Sequence, residues 1–575
     1  MLLEEMKARL TAASDSAESL LIQVHEFYIQ DIRSKENLLE DALSDLHNSG
    51  RIDIVELVAG VVKGSSDYDF FTVLHVFEKV LPSLNANVDD VLHSIAHLTE
   101  QAGRDSSIGG VYGAFTDFCS LESARSRDSI RIILNQSELD TYLPCLSCSI
   151  LAFHSDDSTE AIQTAIDLCS HENGAVRSQA YFALGRLNAD NCHSQVVWES
   201  LSSKVSTERD SDCQTSLLRA IINFGEKFPS YWKMIEILLR TLVHNASPEI
   251  QYEISNITAF QNIDLPSDIF HLFIEQLNSV SPKNKGTVHN IDFLLVKLVK
   301  QNSSPLAVKL LESILTAGVD FQSLPYFSHE LSEKHQRLLG QIVTKWFLAG
   351  ESTLCGGIYD FISDARDLGI EIKADMSLLG DETNQFFACR KAVGWLFTKP
   401  VAAASFVLSI YEYGSENLRH DLEQLLYSPL LLSYPGDLKR YFHKCVENSY
   451  QEQLCERLII RLENYHNDLA HIENLKELRA PLENLNAYWK NVDKNMQTGS
   501  DEAPKSILME LCTVQNLLYG NSSIYYIHKG DGEQVRQEME MLPFSHSTEM
   551  PTLNVLDPEG LDYTLRIYRC ERVEV

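Results

Sequence analysis

The chain is short of positive charge. Its 575 residues hold 48 lysines and arginines against 81 aspartates and glutamates, a formal net charge of −33. A surface with that bias repels phosphate backbones, which argues against nucleic acid as a partner unless basic residues gather locally. No basic stripe is visible, since Lys297 with Lys300 and Lys439 with Arg440 sit in ordinary amphipathic stretches. Long apolar runs are missing as well. The longest, Val401 to Ile410, is interrupted by Ser405 and Ser409 and falls short of the ~18 residues that span a bilayer. Glu4, Glu5, Lys7 and Arg9 break up the opening residues, so the apolar core of a signal peptide is absent. The expectation is a cytoplasmic protein without a membrane association.

Motifs that carry chemistry are equally scarce. Cys145-x-x-Cys148, with His154, Cys169 and His171 downstream, is the nearest thing to a metal site. A zinc ribbon needs a second close ligand pair, and none follows at usable spacing. Both cysteines fall within an apolar helix with Leu143, Leu146 and Ile150, so they read as core thiols. The twelve cysteines are scattered in this manner throughout, as reduced thiols of an intracellular protein would be. Cys192-His193 is a loop pair without further ligands, and His420-Asp421 is a lone dipeptide that a solvated turn explains. Glu463-x-x-His466 has the helical spacing of a di-iron ligand pair, but that chemistry requires the motif twice with two further glutamates. Gly530-Asp531-Gly532 lacks the lysine and strand–loop–helix setting of a phosphate loop, and Gly356-Gly357 ends a helical turn. No Gly-x-Ser-x-Gly elbow occurs. The reading is non-enzymatic, with no catalytic residue, metal or cofactor assigned.

What the chain does have is a repeat. From Val176, the positions 4, 7, 8 and 11 residues on are Ala180, Ala183, Leu184 and Leu187, one face of a helix. A shift of 37 residues gives Cys213, Leu217, Ala220, Ile221 and Phe224. The next gives Ile250, Ile254 and Ile257, with Thr258 and Gln261 breaking the pattern; the one after gives Thr287, Ile291, Leu294, Leu295 and Leu298. A backward step gives Leu139, Leu143, Leu146, Ser147 and Ile150. A second column, Trp198, Ile235 and Leu272 with Leu168, Val205 and Leu242, keeps the same step. Each repeat therefore holds two helices. Gly174 is placed to end one helix, and Pro248 suits the first turn of another. Stacked pairs bury faces that a lone pair cannot, which gives an α-solenoid.

The segment from Asn173 to Gly185 resembles the second helix of a HEAT repeat, through Val176, Arg177, Ala180, Ala183, Leu184 and Gly185. Its small residues would let neighbouring helices approach closely. Gln214, Gln251 and Val288 replace the arginine in later repeats, so no polar ladder is expected along the array. The resemblance implies a HEAT/armadillo-like scaffold or adaptor and names no partner.

The organisation read from the sequence is an N-terminal helical region over 1–104, HEAT-like repeats over 105–304 and an irregular helical continuation over 305–490. A linker over 491–504 and a helix with a small antiparallel β subdomain over 505–575 complete it. In that tail Ser523–His528 and Val535–Met541 read as a hairpin. Leu553–Leu556 and an alternating run from Tyr563 to Val573 supply further strands. The fold class is mostly α, a solenoid of helix pairs with that C-terminal β subdomain. The function expected is a non-enzymatic interaction scaffold or adaptor whose partners are one or more proteins, basic ones included. Two alternatives stand beside it: an acidic nucleic-acid-mimicking decoy that occupies a DNA-binding protein, and a nucleic-acid-binding helical-repeat component of a defence or mobile-element system. Nothing in the pattern sets an oligomeric state.

Overall fold

The computed structural model describes residues 3–472 apart from 35–37, 65–67, 104, 137, 189–192, 245, 365–369 and 449–450. Beyond 472 it describes 486, 490, 522–528, 534–540, 549, 551–552 and 558–572. The chain divides into two compact units, 1–294 and 295–575, with the boundary inside a helix.

The first unit begins with α1 (Leu3–Ala13), α2 (Ala17–Ser34), α3 (Leu38–Asn48), α4 (Ile54–Ala59), α5 (Phe70–Val80) and α6 (Val88–Ala102). It continues through α7 (Gly109–Ser120), α8 (Ser123–Leu134), α9 (Leu143–His154), α10 (Ser158–Leu168), α11 (Gly174–Arg186) and α12 (Ser194–Val205). Then come α13 (Ser211–Lys227), α14 (Trp232–Leu242), α15 (Pro248–Phe260), α16 (Ser267–Leu277) and the boundary helix α17 (Lys285–Lys300). Odd-numbered helices from α1 to α15 each pack on the next odd one. Even-numbered helices form a second row, α4 on α6 on α8, and α10 on α12 on α14 on α16. This is a helical-repeat fold.

The 37-residue step is physical. Helices α11, α13, α15 and α17 begin at 174, 211, 248 and 285. Their shared face is buried: Val176, Ala180, Cys213, Leu217, Ile250, Ile254, Ile291 and Leu294 are all at most 2% exposed. Thr258, which breaks the apolar pattern, is buried too, and its hydroxyl donates to the Ile254 carbonyl at 2.8 Å. The N-caps keep the same step. Asn173, Asp210 and Ser247 each accept a hydrogen bond from a first-turn amide of the helix they precede. Gly174 consequently opens α11 and does not close α10, a correction to its expected role. Gly185 fulfils the expected close approach, because a Cβ there would lie 2.6 Å from the Ala220 Cα. No helix among the described residues is long and apolar enough to cross a membrane.

The second unit holds α18 (Ser304–Thr316), α19 (Pro325–Lys334), α20 (Gln336–Ala349), α21 (Ser352–Asp364), α22 (Met376–Leu379) and α23 (Glu382–Trp395). It continues with α24 (Pro400–Tyr411), α25 (Glu416–Leu425), α26 (Pro435–Asn448) and α27 (Glu452–Ile472). Gly356 and Gly357 lie inside α21 and do not end a turn; Gly357 packs against Leu315, Phe321 and Trp346.

The expected C-terminal β subdomain is not found. Pro558–Cys570, read as a strand preceded by a turn, is a helix, α28. Its buried residues are Leu561 and Leu565, with Tyr568 half-buried, which is helical and not alternating spacing. α28 packs on α23, where the buried Lys391 ammonium donates to the Arg569 carbonyl at 2.6 Å and Arg390 pairs with Glu571. One antiparallel pairing, Ser522–His528 (β1) with Gln534–Glu540 (β2), is the extent of strand among the described residues. Two strands alone do not make a stable subdomain. The expected segments 491–504, 506–518 and 553–556, and the 530–532 turn, lie outside the described residues.

Candidate functional site

Four successive odd-numbered helices of the first unit present the same turn to one groove. Its cavity of about 650 Å³ is lined by Ser178 of α11, by Asp212, Thr215 and Ser216 of α13, by Glu249, Tyr252 and Glu253 of α15, and by Lys285–Thr287 of α17. Ser178, Thr215 and Tyr252 occupy one register position, 37 residues apart, so the repeat that builds the core also builds the groove. The Tyr252 ring lies over Gly286, where a Cβ would meet it at 3.1 Å, and is 48% exposed. On the same helices Phe260 is exposed beside Phe293, ring centroids 5.2 Å apart, with His289 edge-on to Phe293 at 5.1 Å.

Ion pairs with buried carboxylates link the helices that line the groove. Arg177 on α11 contacts Glu208, which precedes α13, through Nε and Nη2, both at 2.9 Å. Glu208 also accepts from the backbone amides of Arg209 and Asp210 and from the Tyr181 hydroxyl. The Arg177 hydrogen bonds, with those amides, hold its carboxyl down at about 2 against the opposing effect of burial. Arg219 on α13 grips Glu253 on α15 at 2.7 and 3.0 Å. Here burial dominates and the carboxyl is raised, Arg219 notwithstanding. The two glutamates therefore oppose each other in electrostatic character. Gln251 donates to the Gln276 carbonyl and Val288 has no polar side chain, so no ladder runs along the array; in the two earlier repeats Arg177 donates to the His171 carbonyl and Gln214 to the Glu208 carbonyl, each six residues upstream. Glutamine keeps the backbone anchor that arginine makes and drops the charge.

The metal candidates do not converge. Cys145 is buried and its thiol pushed well up by desolvation, while Cys148, one turn further along the same side of the helix, is half-buried. His154 Nε2 contacts the Asn188 carbonyl at 3.1 Å. The Cys169 thiol is raised to about 12 by burial, and His171 Nδ1 accepts the Asn173 amide. Among the described residues no group of three or more His, Cys, Asp or Glu is placed to hold a metal ion. Cys192 lies outside the described residues; His193 contacts Thr159. Glu463 is paired with Lys439 at 2.7 Å, His466 lies tilted beside Tyr465 with ring centroids 5.9 Å apart, and His420 and Asp421 are exposed on α25.

A second and larger cavity, about 1230 Å³, lies within the second unit. One wall is the extended segment 370–375. The amides of Ile372 and Ala374 donate to the hydroxyls of Ser405 and Ser409 on α24, each at 2.9 Å. A helix rises about 6 Å in four residues and a strand about 6.6 Å in two, so the two periods match here. On the opposite edge the Asp375 amide donates to Thr344 on α20, and the Lys373 carbonyl packs on Gly340 of the same helix. The sequence reading missed this segment, because its anchors are single hydroxyls inside an apolar helix.

No family model matches the chain, and no curated protein matches it. A crystal structure described as an engineered protein of the Northeast Structural Genomics Consortium is similar at 13% identity, covering 80% of this chain and 98% of that one. Its TM-score of 0.23 is too low to carry an argument about fold or function.

Proposed function

We propose that the protein is a non-enzymatic interaction scaffold of the HEAT/armadillo kind, and that the groove along α11, α13, α15 and α17 receives a partner protein. The observation that carries this reading is the repetition itself. Residues at one register position in consecutive repeats line a shared groove, and an extended partner segment would meet them in succession. Exposed Tyr252 and Phe260 supply the large, low-entropy contact surfaces that dominate protein interfaces. Asp212 and Glu249, both exposed at the rim, favour a partner carrying basic residues and disfavour a nucleic-acid backbone. The HEAT reading is supported by the Asn173–Gly185 pattern and by the Gly185–Ala220 approach. The test is quantitative affinity capture with the wild type and a Tyr252→Ala/Phe260→Ala variant. The reading requires the variant to fold normally and to lose the partner; equal recovery would overturn it.

A further inference from the structure

The second unit carries two cysteines that the scaffold reading does not use. We propose that Cys445 and Cys455 are a redox modification site, two thiols that hydrogen peroxide converts to a reversible disulfide across the hairpin of α26 and α27. They lie ten residues apart in a sequence that marks neither as part of a motif. The fold brings them together.

α26 and α27 pack on one another, and the Lys439–Glu463 ion pair at 2.7 Å sets their register. From that pair, Cys445 and Cys455 each lie about two turns nearer the bend. Each cysteine also ends a buried stripe. On α26, Leu438, Tyr441 and Phe442 lead to Cys445 at helical spacing. On α27, Leu462, Ile459 and Leu458 lead back to Cys455 in the same way. The thiols meet where the stripes end, in hydrogen-bond contact and not joined in a disulfide. Closing an S–S bond of about 2.05 Å therefore asks only for a further approach of sulfurs already side by side.

The two thiols differ in the way that oxidation requires. Cys445 is half-buried, within reach of a small oxidant, while Cys455 is 0% exposed. The Cys455 thiol donates to Cys445 and holds it below the ordinary thiol range against the effect of burial. The Tyr441 hydroxyl and the nearby Lys444 act in the same sense, and Glu371 opposes them. The same contact, together with burial, pushes the Cys455 thiol up. Among the described residues outside this pair, every cysteine whose thiol is shifted is raised by burial, Cys119, Cys169, Cys355 and Cys389 among them. The thiolate is the nucleophile, so Cys445 is the point of attack.

The Cys445 thiolate attacks one peroxide oxygen. An S–O bond forms, the O–O bond breaks, and the departing hydroxide takes up a proton as water. Cys455 then attacks the sulfenic sulfur: the S–S bond forms, the S–O bond breaks, and the Cys455 proton leaves with the hydroxyl as a second water. Two thiols lose two electrons and one peroxide gains them. A dithiol reductant reverses the step by exchange.

The test treats the reduced full chain with a small molar excess of hydrogen peroxide, alkylates the remaining thiols under denaturing conditions and digests with trypsin. Cleavage after Lys444 and Arg457 leaves both cysteines in one peptide. In the wild type that peptide should escape alkylation and weigh two hydrogens less than its dithiol form. Dithiothreitol should restore alkylation at both positions. Cys455→Ser should lose the link and accumulate a Cys445 sulfenic acid that dimedone captures. Cys445→Ser should leave the enclosed Cys455 reduced. Circular dichroism matching the wild type shows that each variant folds. Both cysteines still alkylated in the wild type, or Cys445 joined to any other cysteine, overturns the proposal. So does a Cys455 that oxidises equally well with serine at 445. The groove of the first unit is untouched by any of these outcomes.

Discussion

Arg177 and Glu208 meet through two N–H···O contacts of 2.9 Å, with the glutamate 6% exposed. They lie 31 residues apart, so the pair ties one repeat to the start of the next. Removing Glu208 takes the carboxylate from a half-buried Arg177 that still donates to the His171 and Glu172 carbonyls, at a cost of about 1–3 kcal/mol. Glu208→Ala should therefore unfold at markedly lower urea concentration than the wild type, with a similar slope. A shift under about 0.5 kcal/mol, the size of an exposed substitution, would contradict the assignment.

The same carboxylate makes a pH prediction. Its folded value, about 2, lies below the ordinary 4.5, so its stabilisation is fully present above pH 4.5 and is lost as pH falls towards 2. The contribution is roughly 3 kcal/mol at neutral pH. Stability curves of the wild type and Glu208→Gln should thus converge on acidification through that window. Parallel curves from pH 5 to pH 2 would show that the Arg177 contact is absent in solution.

Gly185 and Gly113 are predicted to behave oppositely. A Cβ at Gly185 would strike the backbone of Ala220, which cannot rotate away, so Gly185→Val should destabilise by about 1–3 kcal/mol or more. At Gly113, inside α7, a Cβ meets nothing within 4 Å. Gly113→Ala should stabilise by about 0.5–1 kcal/mol through helix propensity alone. Thermal unfolding of both variants checks the pair.

Ser405 and Ser409 should protect the amides they accept. Replacing each with alanine strands the Ile372 and Ala374 amides, at about 1–3 kcal/mol apiece where buried. Hydrogen exchange at those two amides should accelerate in the variants, with α24 itself little changed. Unchanged protection would mean that the extended segment is held by other contacts.

The solenoid was legible because burial repeats with the helix spacing: one apolar face recurs every 37 residues, and the structure buries that face. Its cross-links were not. Glu208 and Glu253 lie 31 and 34 residues from their arginines, outside any fixed register, and each looks like one more surface carboxylate. The groove was half visible, since Ser178, Thr215 and Tyr252 keep the repeat step but share no chemistry that a pattern search would notice. The tail misled for a local reason. Tyr563, Leu565 and Ile567 alternate like a strand, yet two of the three end exposed, and contacts with α23 come from Tyr568, Arg569 and Glu571 further along the helix. Packing on α23 overrode a β-prone composition.

The most direct test of the scaffold reading places a photo-crosslinking amino acid at Tyr252 in the groove and, as a control, at the exposed Lys233 on α14. Irradiation in the native cell extract should join a partner protein to position 252 and not to 233, with Phe260→Ala reducing the yield. Equal products at both positions, or none at 252 from a correctly folded chain, would contradict the account.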